Sequence, residues 1–273
     1  MAINGFMREL LQQFSYLCFN RFLVSSLGRN TCITQHKGSR LDVKAPATIP
    51  YFLQEQIREL IVDGTIRPGQ PLREQELEQR FGTSRSPIRE ALRLLELSGL
   101  VTHVQRKGFR ATLYSETQIR HLYKLRAELE AYCIRQVAEM DDVSPLVAEL
   151  RTYDDAIAAA MAKRDVRAYI AALREFYLAG ARFTGNVPLV EVLTKLYEQV
   201  EPLRYLLARQ SMDSNKLQTY TQGITQAMAS RDFERAAELT RSYVLDVLPG
   251  ILRAYHEASL QDAEEPAPRF GRG

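Results

Sequence analysis

LREQELEQRFGTSRSPIREALRLLELSGLVTHVQRKGFRA, residues 72–111, is the stretch on which the fold turns. It reads as a helix, a tight turn, a second helix and a two-stranded hairpin. Gly82 follows a run of helix formers and suits the left-handed conformation that ends a helix. Ser84 stands where its hydroxyl can cap the next helix, and Pro87 falls in that helix's first turn, where its missing N–H costs nothing. The second helix is expected from near Ser84 to near Ser98 and Gly99. On it Ile88, Leu92 and Leu95 recur at i, i+4, i+7 and make one buried face, while Arg85, Arg89 and Arg93 recur at i, i+4, i+8 along a neighbouring one.

Like charges at that spacing repel by about a few tenths of a kcal/mol per pair, so helix stability alone does not favour them. A polyanion removes the penalty. A helix-turn-helix sets the N-terminal part of its second helix in the DNA major groove, where arginine meets guanine edges or phosphate oxygens. The competing reading is a solvated face whose arginines pair with Glu90 and Glu96. The next residues weigh against it. Leu100 to Val104 and Phe109 to Leu113 are β-prone, and Gln105, Arg106, Lys107 and Gly108 form a basic tip between them whose glycine permits the turn. A reading helix followed at once by a basic β-wing is the layout of a winged helix. Guanidinium groups turned inward onto the protein's own carboxylates would not support that reading.

The residues that carry a likeness are Ile57-Arg58-Glu59-Leu60-Ile61, Gly64, Pro68-Gly69, Leu72-Arg73-Glu74, Leu77, Phe81-Gly82, the run Ser84 to Leu92, Leu95, Gly99-Leu100-Val101 and Gly108. With them the chain resembles the GntR family of bacterial transcriptional regulators. The resemblance implies that Arg73, Ser84, Arg85, Ser86, Pro87, Arg89 and Gly108 lie at or beside DNA, with Arg85 and Arg89 on bases or phosphates and Ser84 and Ser86 on phosphates. Lys107, at the wing tip, is expected to add a phosphate contact.

The 273 residues allow two domains, each with a sizeable core, and a net charge of +3 hides an asymmetry. Residues 1–45 carry +4, residues 46–114 carry +2 and residues 115–273 carry −3, so the positive charge lies with the N-terminal half, where a DNA-binding unit needs it. Cys18, Cys32 and Cys133 are widely spaced and form no CxxC pair, which points to a reducing compartment. His36, His103, His121 and His256 match no metal spacing. No apolar run reaches the roughly 18 residues needed to span a bilayer. No nucleophile elbow, phosphate loop or cofactor fingerprint appears, so no enzyme activity and no cofactor are expected.

Residues 1–45 are Arg- and Ser-bearing and poor in acid, with an apolar stretch from Phe14 to Leu27 broken by Asn20 and Arg21. They read as a poorly ordered extension or as the product of an upstream translation start, and no function is assigned to them. From Thr48, the positions Ile49, Phe52, Leu53, Ile57, Leu60 and Ile61 describe a first amphipathic helix ending near Gly64. Pro68-Gly69 makes a turn, and Arg73 opens a second helix with Leu77 and Phe81 inward. Residues 46–114 are thus expected to form the winged helix-turn-helix, three helices plus a β-wing.

After the wing, Ser115 with Gln118 forms a capping-box signature. Leu122, Leu125, Leu129, Cys133 and Val137 keep helical period, Ser144-Pro145 restarts a helix, and Asp165, Asn186 or Pro188, Asp213 and Asp232 mark further starts. Residues 115–260 therefore read as about six helices in an antiparallel bundle, with a disordered tail at 261–273. Met161-Ala-Lys-Arg-Asp165 echoes Met228-Ala-Ser-Arg-Asp232 at two helix junctions. That echo, Leu125-Arg126 with Leu129-Glu130, Phe176-Tyr177, Gly185-Asn186 with Pro188-Leu189, and Ile224 with Ala227 resemble the FCD class of ligand-sensing domain found in the FadR-like branch of the GntR family.

Many FCD domains hold a divalent metal through an aspartate and three histidines; at the matching positions this chain has Leu173, Tyr177, Thr221 and Tyr243. None is a normal metal ligand at neutral pH. The departure predicts a metal-free cavity lined by Tyr177, Thr221 and Tyr243, with plain core packing as the other reading. Arg126 matches a position that in several relatives touches an acidic effector; its other reading is an i, i+4 pair with Glu130. The expected protein is a cytoplasmic, ligand-responsive regulator that binds double-stranded DNA as a homodimer on a palindromic operator, tuned by a small acidic metabolite. A winged-helix adaptor for other proteins is the alternative.

Overall fold

The computed structural model describes residues 48–212 and 214–264. The readings made on residues 1–45, on the Asp213 helix start and on the tail beyond Glu264 lie outside the described residues. The elements run α1 (Ile49–Val62), β1 (Pro71–Leu72), α2 (Glu74–Phe81), α3 (Arg85–Ser98), β2 (Val101–Val104), β3 (Gly108–Ala111), α4 (Glu116–Val137), α5 (Ser144–Ala162), α6 (Val166–Phe183), α7 (Val187–Gln210), α8 (Ser214–Ala229) and α9 (Phe233–Glu264). A winged helix is followed by an all-α bundle.

The winged helix closes around one apolar cluster. Leu53, Ile57 and Ile61 of α1 meet Leu77 of α2 and Ile88, Leu92 and Leu95 of α3, with Phe109 and Ala111 of the sheet beneath. Gly82 and Gly99 end α2 and α3 at φ +60° and +83°, the left-handed caps that a Cβ would strain. Ser84 occupies the N-cap of α3, but its hydroxyl makes no capping hydrogen bond, contrary to expectation. The sheet is antiparallel in the order β1-β3-β2, Val104 pairing with Gly108 across the tip. Its third strand, Pro71–Leu72, is too short for a period-2 pattern to reveal, and Leu72 pairs with Phe109.

In the bundle α4 packs along α9, and α6 and α7 complete the enclosure of one continuous core. The capping box Ser115–Gln118 is formed, and Asp165 and Asn186 cap α6 and α7 through Ala168 and Leu189 N–H. Ser144 is not a cap: the Asp142 carboxylate accepts from Ser144 N–H, which holds that carboxyl below its usual range, and Ser144 is already helical. The echoed Arg164 and Arg231 take φ +52° and +59°, so the two junctions share a left-handed arginine. Of the residues expected to keep helical period on α4, Cys133 and Val137 are buried and Leu122 and Leu129 pack against the core. Leu125 is 49% exposed, whereas Ile119, Tyr123, Arg126, Ala127 and Glu130 are buried, because a charged pair on the inner face reads in sequence as a solvated one. Helix α9 runs past residue 260 to Glu264, since Gln261 to Glu264 are helix formers ahead of Pro266.

Helix α7 touches both domains. That helix packs against α1 and α3 as well as against α6 and α9. Arg58 of α1 pairs with Glu201 at 2.8 Å, and Arg167 of α6 reaches Glu59 and Asp63 at 3.3 and 3.2 Å. Where the chain crosses from wing to bundle, Tyr114 N–H donates to Tyr255 Oη at 2.8 Å. Leu92, fully buried, is expected to cost about 2–5 kcal/mol on truncation to alanine. Leu113→Ala, at a 60% exposed position, should stay within about 0.5 kcal/mol. Denaturant midpoints of the two variants decide the point.

Candidate functional site

Two regions collect the residues singled out by sequence, one at the front of α3 and one inside the bundle. At the first, Arg73, Ser84, Arg85, Ser86, Arg89, Lys107 and Gly108 are exposed and Pro87 is half-buried in the first turn of α3. The side chains of Arg85 and Arg89 are 70% and 56% exposed, so the arginine face points to solvent. They are nonetheless paired, and not with Glu90 or Glu96. Glu74, at the start of α2, takes Arg85 Nε and lies 3.2 Å from Arg89 Nε, while Glu78 stands 3.9 Å from Arg85. The hydrogen bond to Glu74 is the main reason the Arg85 guanidinium holds its proton more firmly than usual. Arg73 pairs with Glu76 at 2.9 Å.

These pairs bridge the two helices of the motif and offset the repulsion between Arg85 and Arg89. In water such exposed pairs are worth about 0–1 kcal/mol, so a stronger anion can displace them. At the wing tip Arg106 and Gly108 take φ +64° and +78°, making a tight turn that presents Lys107. Glu74 was missed because its partners lie 11 and 15 positions downstream, beyond any spacing within one helix.

Inside the bundle, Arg126 Nε donates to Glu130 Oε1 at 2.8 Å, both side chains being 1% exposed. Tyr197 Oη donates to the same oxygen. The guanidinium carbon of Arg126 stands 5.0 Å from the Tyr123 ring centre and 5.6 Å from that of Tyr197. Burial opposes the charge on Arg126, and the combined pull of Glu130 and the oxygens of Tyr197, Tyr123 and Tyr243 outweighs it, leaving the proton held more tightly than in water. A third buried ion shares the neighbourhood. Arg204 of α7 is 7% exposed and lies 5.7 Å from the Tyr197 ring centre on the side of a cavity of about 80 Å³. Arg126, Arg204, Leu173, Leu207, Tyr243 and Ile251 are among its walls.

Tyr177 and Tyr243 stack at 5.7 Å with their planes 12° apart. Tyr243 faces the 80 Å³ cavity, whereas Tyr177 and Glu130 face a separate void of about 20 Å³ beside Cys133. Thr221 is buried but lines neither of these two; Thr225, one turn on, donates to Asp154 at 2.9 Å and to the Thr221 carbonyl. Of the expected trio, Tyr177 and Tyr243 are thus brought together but face different spaces, and Thr221 lines neither. Burial pushes the Tyr177 hydroxyl well above its ordinary pKa and raises that of Tyr243. A phenol that keeps its proton at neutral pH is a poor metal donor, and Leu173 is no donor at all. The donor set does not fit a divalent metal.

Arg204 was missed although its signal is present: Tyr197, Val200, Arg204 and Ala208 fall on one helical face at i, i+3, i+7, i+11, a charge within an apolar stripe.

Residues 52–110 match the family model described as bacterial regulatory proteins, gntR family, and residues 121–246 match the FCD domain. The chain is 39% identical over 107 residues to the uncharacterized HTH-type transcriptional regulator YdhC of Bacillus subtilis, an alignment covering 38% of this chain and 48% of that protein. It thus spans about half the length of that relative. It is 30% identical over 123 residues, 44% of this chain and 72% of the relative, to an uncharacterized HTH-type transcriptional regulator from the TAR-I ttuE-ttuC' intergenic region of Agrobacterium vitis. The fold is similar to that of E. coli McbR/YncC, with a TM-score of 0.63 over 76% of this chain and 99% of the other at 19% identity.

Two outcomes follow from the buried charges. Glu130→Ala, which strands Arg126, is expected to lower stability by about 3–5 kcal/mol in denaturant titration. Protein incubated with zinc or nickel and then dialysed should retain well below one equivalent by elemental analysis, and stoichiometric retention would show the donor argument wrong.

Proposed function

Because the chain belongs to the gntR family of bacterial regulatory proteins and carries an FCD domain, and so is a transcriptional regulator with an effector-binding half, we propose that it binds a palindromic operator as a dimer whose affinity a small acidic metabolite sets. The observation that carries this reading is the outward arginine face at the front of α3. Arg85 and Arg89 extend into solvent at the end of the helix that enters the major groove, held only by surface carboxylates that DNA phosphates outcompete. Ser84 and Ser86 are exposed beside them, and the Ser84 hydroxyl, unused as a cap, is available to a phosphate oxygen. Arg73, Pro87 and Gly108 place backbone at the duplex, and Lys107 contacts phosphate from the wing.

In a two-fold dimer the two α3 helices would stand about one helical turn of DNA apart on inverted half-sites. Arg126 and Tyr243 face the effector, with Tyr177 backing the ring of Tyr243 and Thr221 closing the core behind them. An anion is the ligand that a cavity walled by a buried guanidinium favours. The protein acts in the cytoplasm, where its DNA is, and none of the described helices is long and apolar enough to cross a membrane.

Gel-shift titration against DNA upstream of its own gene tests the reading. Salt-dependent, sequence-selective retention is expected, and its absence would favour the protein-adaptor alternative. Arg85→Ala should remove operator selectivity, a loss of about 1–3 kcal/mol for each bidentate base contact. Lys107→Ala should weaken binding to every sequence and lower the logarithmic salt slope by about 1. Operator affinity unchanged in the Arg85 variant would remove that residue from the interface.

A further inference from the structure

We infer that Gln199, a bundle residue at the far end of α3 from the arginine face, is a positioning residue for the reading helix: its side chain seats on Gly99 and, by fixing the angle at which α3 leaves the bundle, selects the spacing between operator half-sites. The inference rests on the operator reading above and adds a residue that sets specificity without touching DNA.

The contact is between a side chain and bare backbone. Gly99 ends α3 at φ +83°, and a methyl group added there would run into the Gln199 amide nitrogen and come within 3.1 Å of its Cγ and Cδ. Three atoms of Gln199 thus fill the space that any other residue would need. The carbonyl of Gly99 is held as well, accepting from Thr112 Oγ1 at 2.7 Å and from Tyr114 Oη at 3.3 Å, and Tyr114 N–H is tied to Tyr255 of α9. Along α7, Gln199 stands at the head of a stripe that continues at i+3, i+4 and i+7 with Pro202, Leu203 and Leu206, the residues that face Ile61, Leu100 and Tyr114 of the winged helix. Steric fit, not charge, defines the seat.

The charged ties between the two parts leave more play. Arg167 reaches Glu59 and Asp63 from a 56% exposed side chain, where such a pair is worth about 0–1 kcal/mol, and Arg58 and Glu201 meet through the ends of two flexible side chains. At Gly99 there is no side chain on the α3 side to yield. Leverage then makes a small angle matter. Helix α3 has 14 residues, about 20 Å at 1.5 Å each, and Arg85 stands at the opposite end from Gly99. A pivot of about 10° at Gly99 carries Arg85 through about 3.5 Å, which is one base-pair step along the duplex. In a two-fold dimer both reading helices shift in opposite senses, so the distance between half-sites changes by up to twice that amount.

The test uses the full chain. Selection from a random DNA pool gives the half-site, and gel-shift titration then compares inverted half-sites whose spacer differs by one base pair at a time, with a single half-site as control. The unmodified protein should prefer one spacer at least tenfold over its neighbours. Gln199→Ala should cut that preference at least fivefold while binding the single half-site within twofold of the unmodified protein, and Gln199→Met, which keeps length and shape, should retain the preference. Without DNA, hydrogen exchange in the Gln199→Ala chain should rise at the Gly99 and Leu100 amides and stay unchanged in α4 and α6. Circular dichroism checks folding, and Gln199→Asn, one methylene shorter, replaces Gln199→Ala if that chain does not fold. An unaltered spacer preference in the shortened variant, an equal loss on the single half-site, loss of the preference in Gln199→Met, or unchanged exchange at Gly99 and Leu100 would each overturn the inference. Failure of the unmodified protein to retain any DNA condemns the operator reading instead, and hydrogen exchange alone then decides whether Gln199 holds α3.

Discussion

Burial of Arg126 against Glu130 is the constraint on which the bundle's interior depends. Two opposite charges four residues apart on an exposed helix would be worth about 0.3–0.5 kcal/mol. At 1% exposure they must find each other or the fold fails, and the surrounding rings of Tyr123 and Tyr197 are where they are because a guanidinium needs aromatic faces and a carboxylate needs a hydroxyl once water is gone. The burial of Arg126 and Glu130 on the inner side of α4 follows from this pair, and so does the polar end of an otherwise aliphatic cavity.

The exposed front of α3 obeys the opposite rule. There the charged pairs stay in water, where each is weak, and Glu74 holds two arginines without sequestering either. Contacts of that kind cost little to break. The same residue type thus stabilises when buried and stands ready when exposed, and the difference is solvent rather than sequence.

Much of the winged helix was legible because its signals are local. Gly82, Gly99, Pro87 and the alternating wing act over a few residues, and the 3.6-residue period of Ile88, Leu92 and Leu95 is simple. The capping box at Ser115 and the Asp165 and Asn186 caps were legible for the same reason. What escaped depends on distant partners. Leu125 looked inward because leucine usually is; Arg126 and Glu130 looked outward because charges usually are, and only tertiary pairing reverses both. Glu74 as the acceptor for α3 and the two-residue strand β1 both require knowing which elements meet. Tyr177 and Tyr243 were expected on one cavity, but their rings stack and face two different spaces, a packing set by a ring contributed by α9.

Helix α7 belongs to the bundle core and packs against the winged helix with another face. Pro202, Leu203 and Leu206 face Ile61, Leu100 and Tyr114 on the winged-helix side, while Arg204, Leu207 and Ala208 face the cavity, all within two helical turns. The crossing segment is also pinned, Tyr114 being tied to Tyr255 through its N–H and to the Gly99 carbonyl through its hydroxyl at 3.3 Å. A swinging, door-like motion of the winged helix would tear these ties. The motion open to the molecule is shear: a small slide or roll of one rod between two packed faces, with amplitude limited to side-chain repacking.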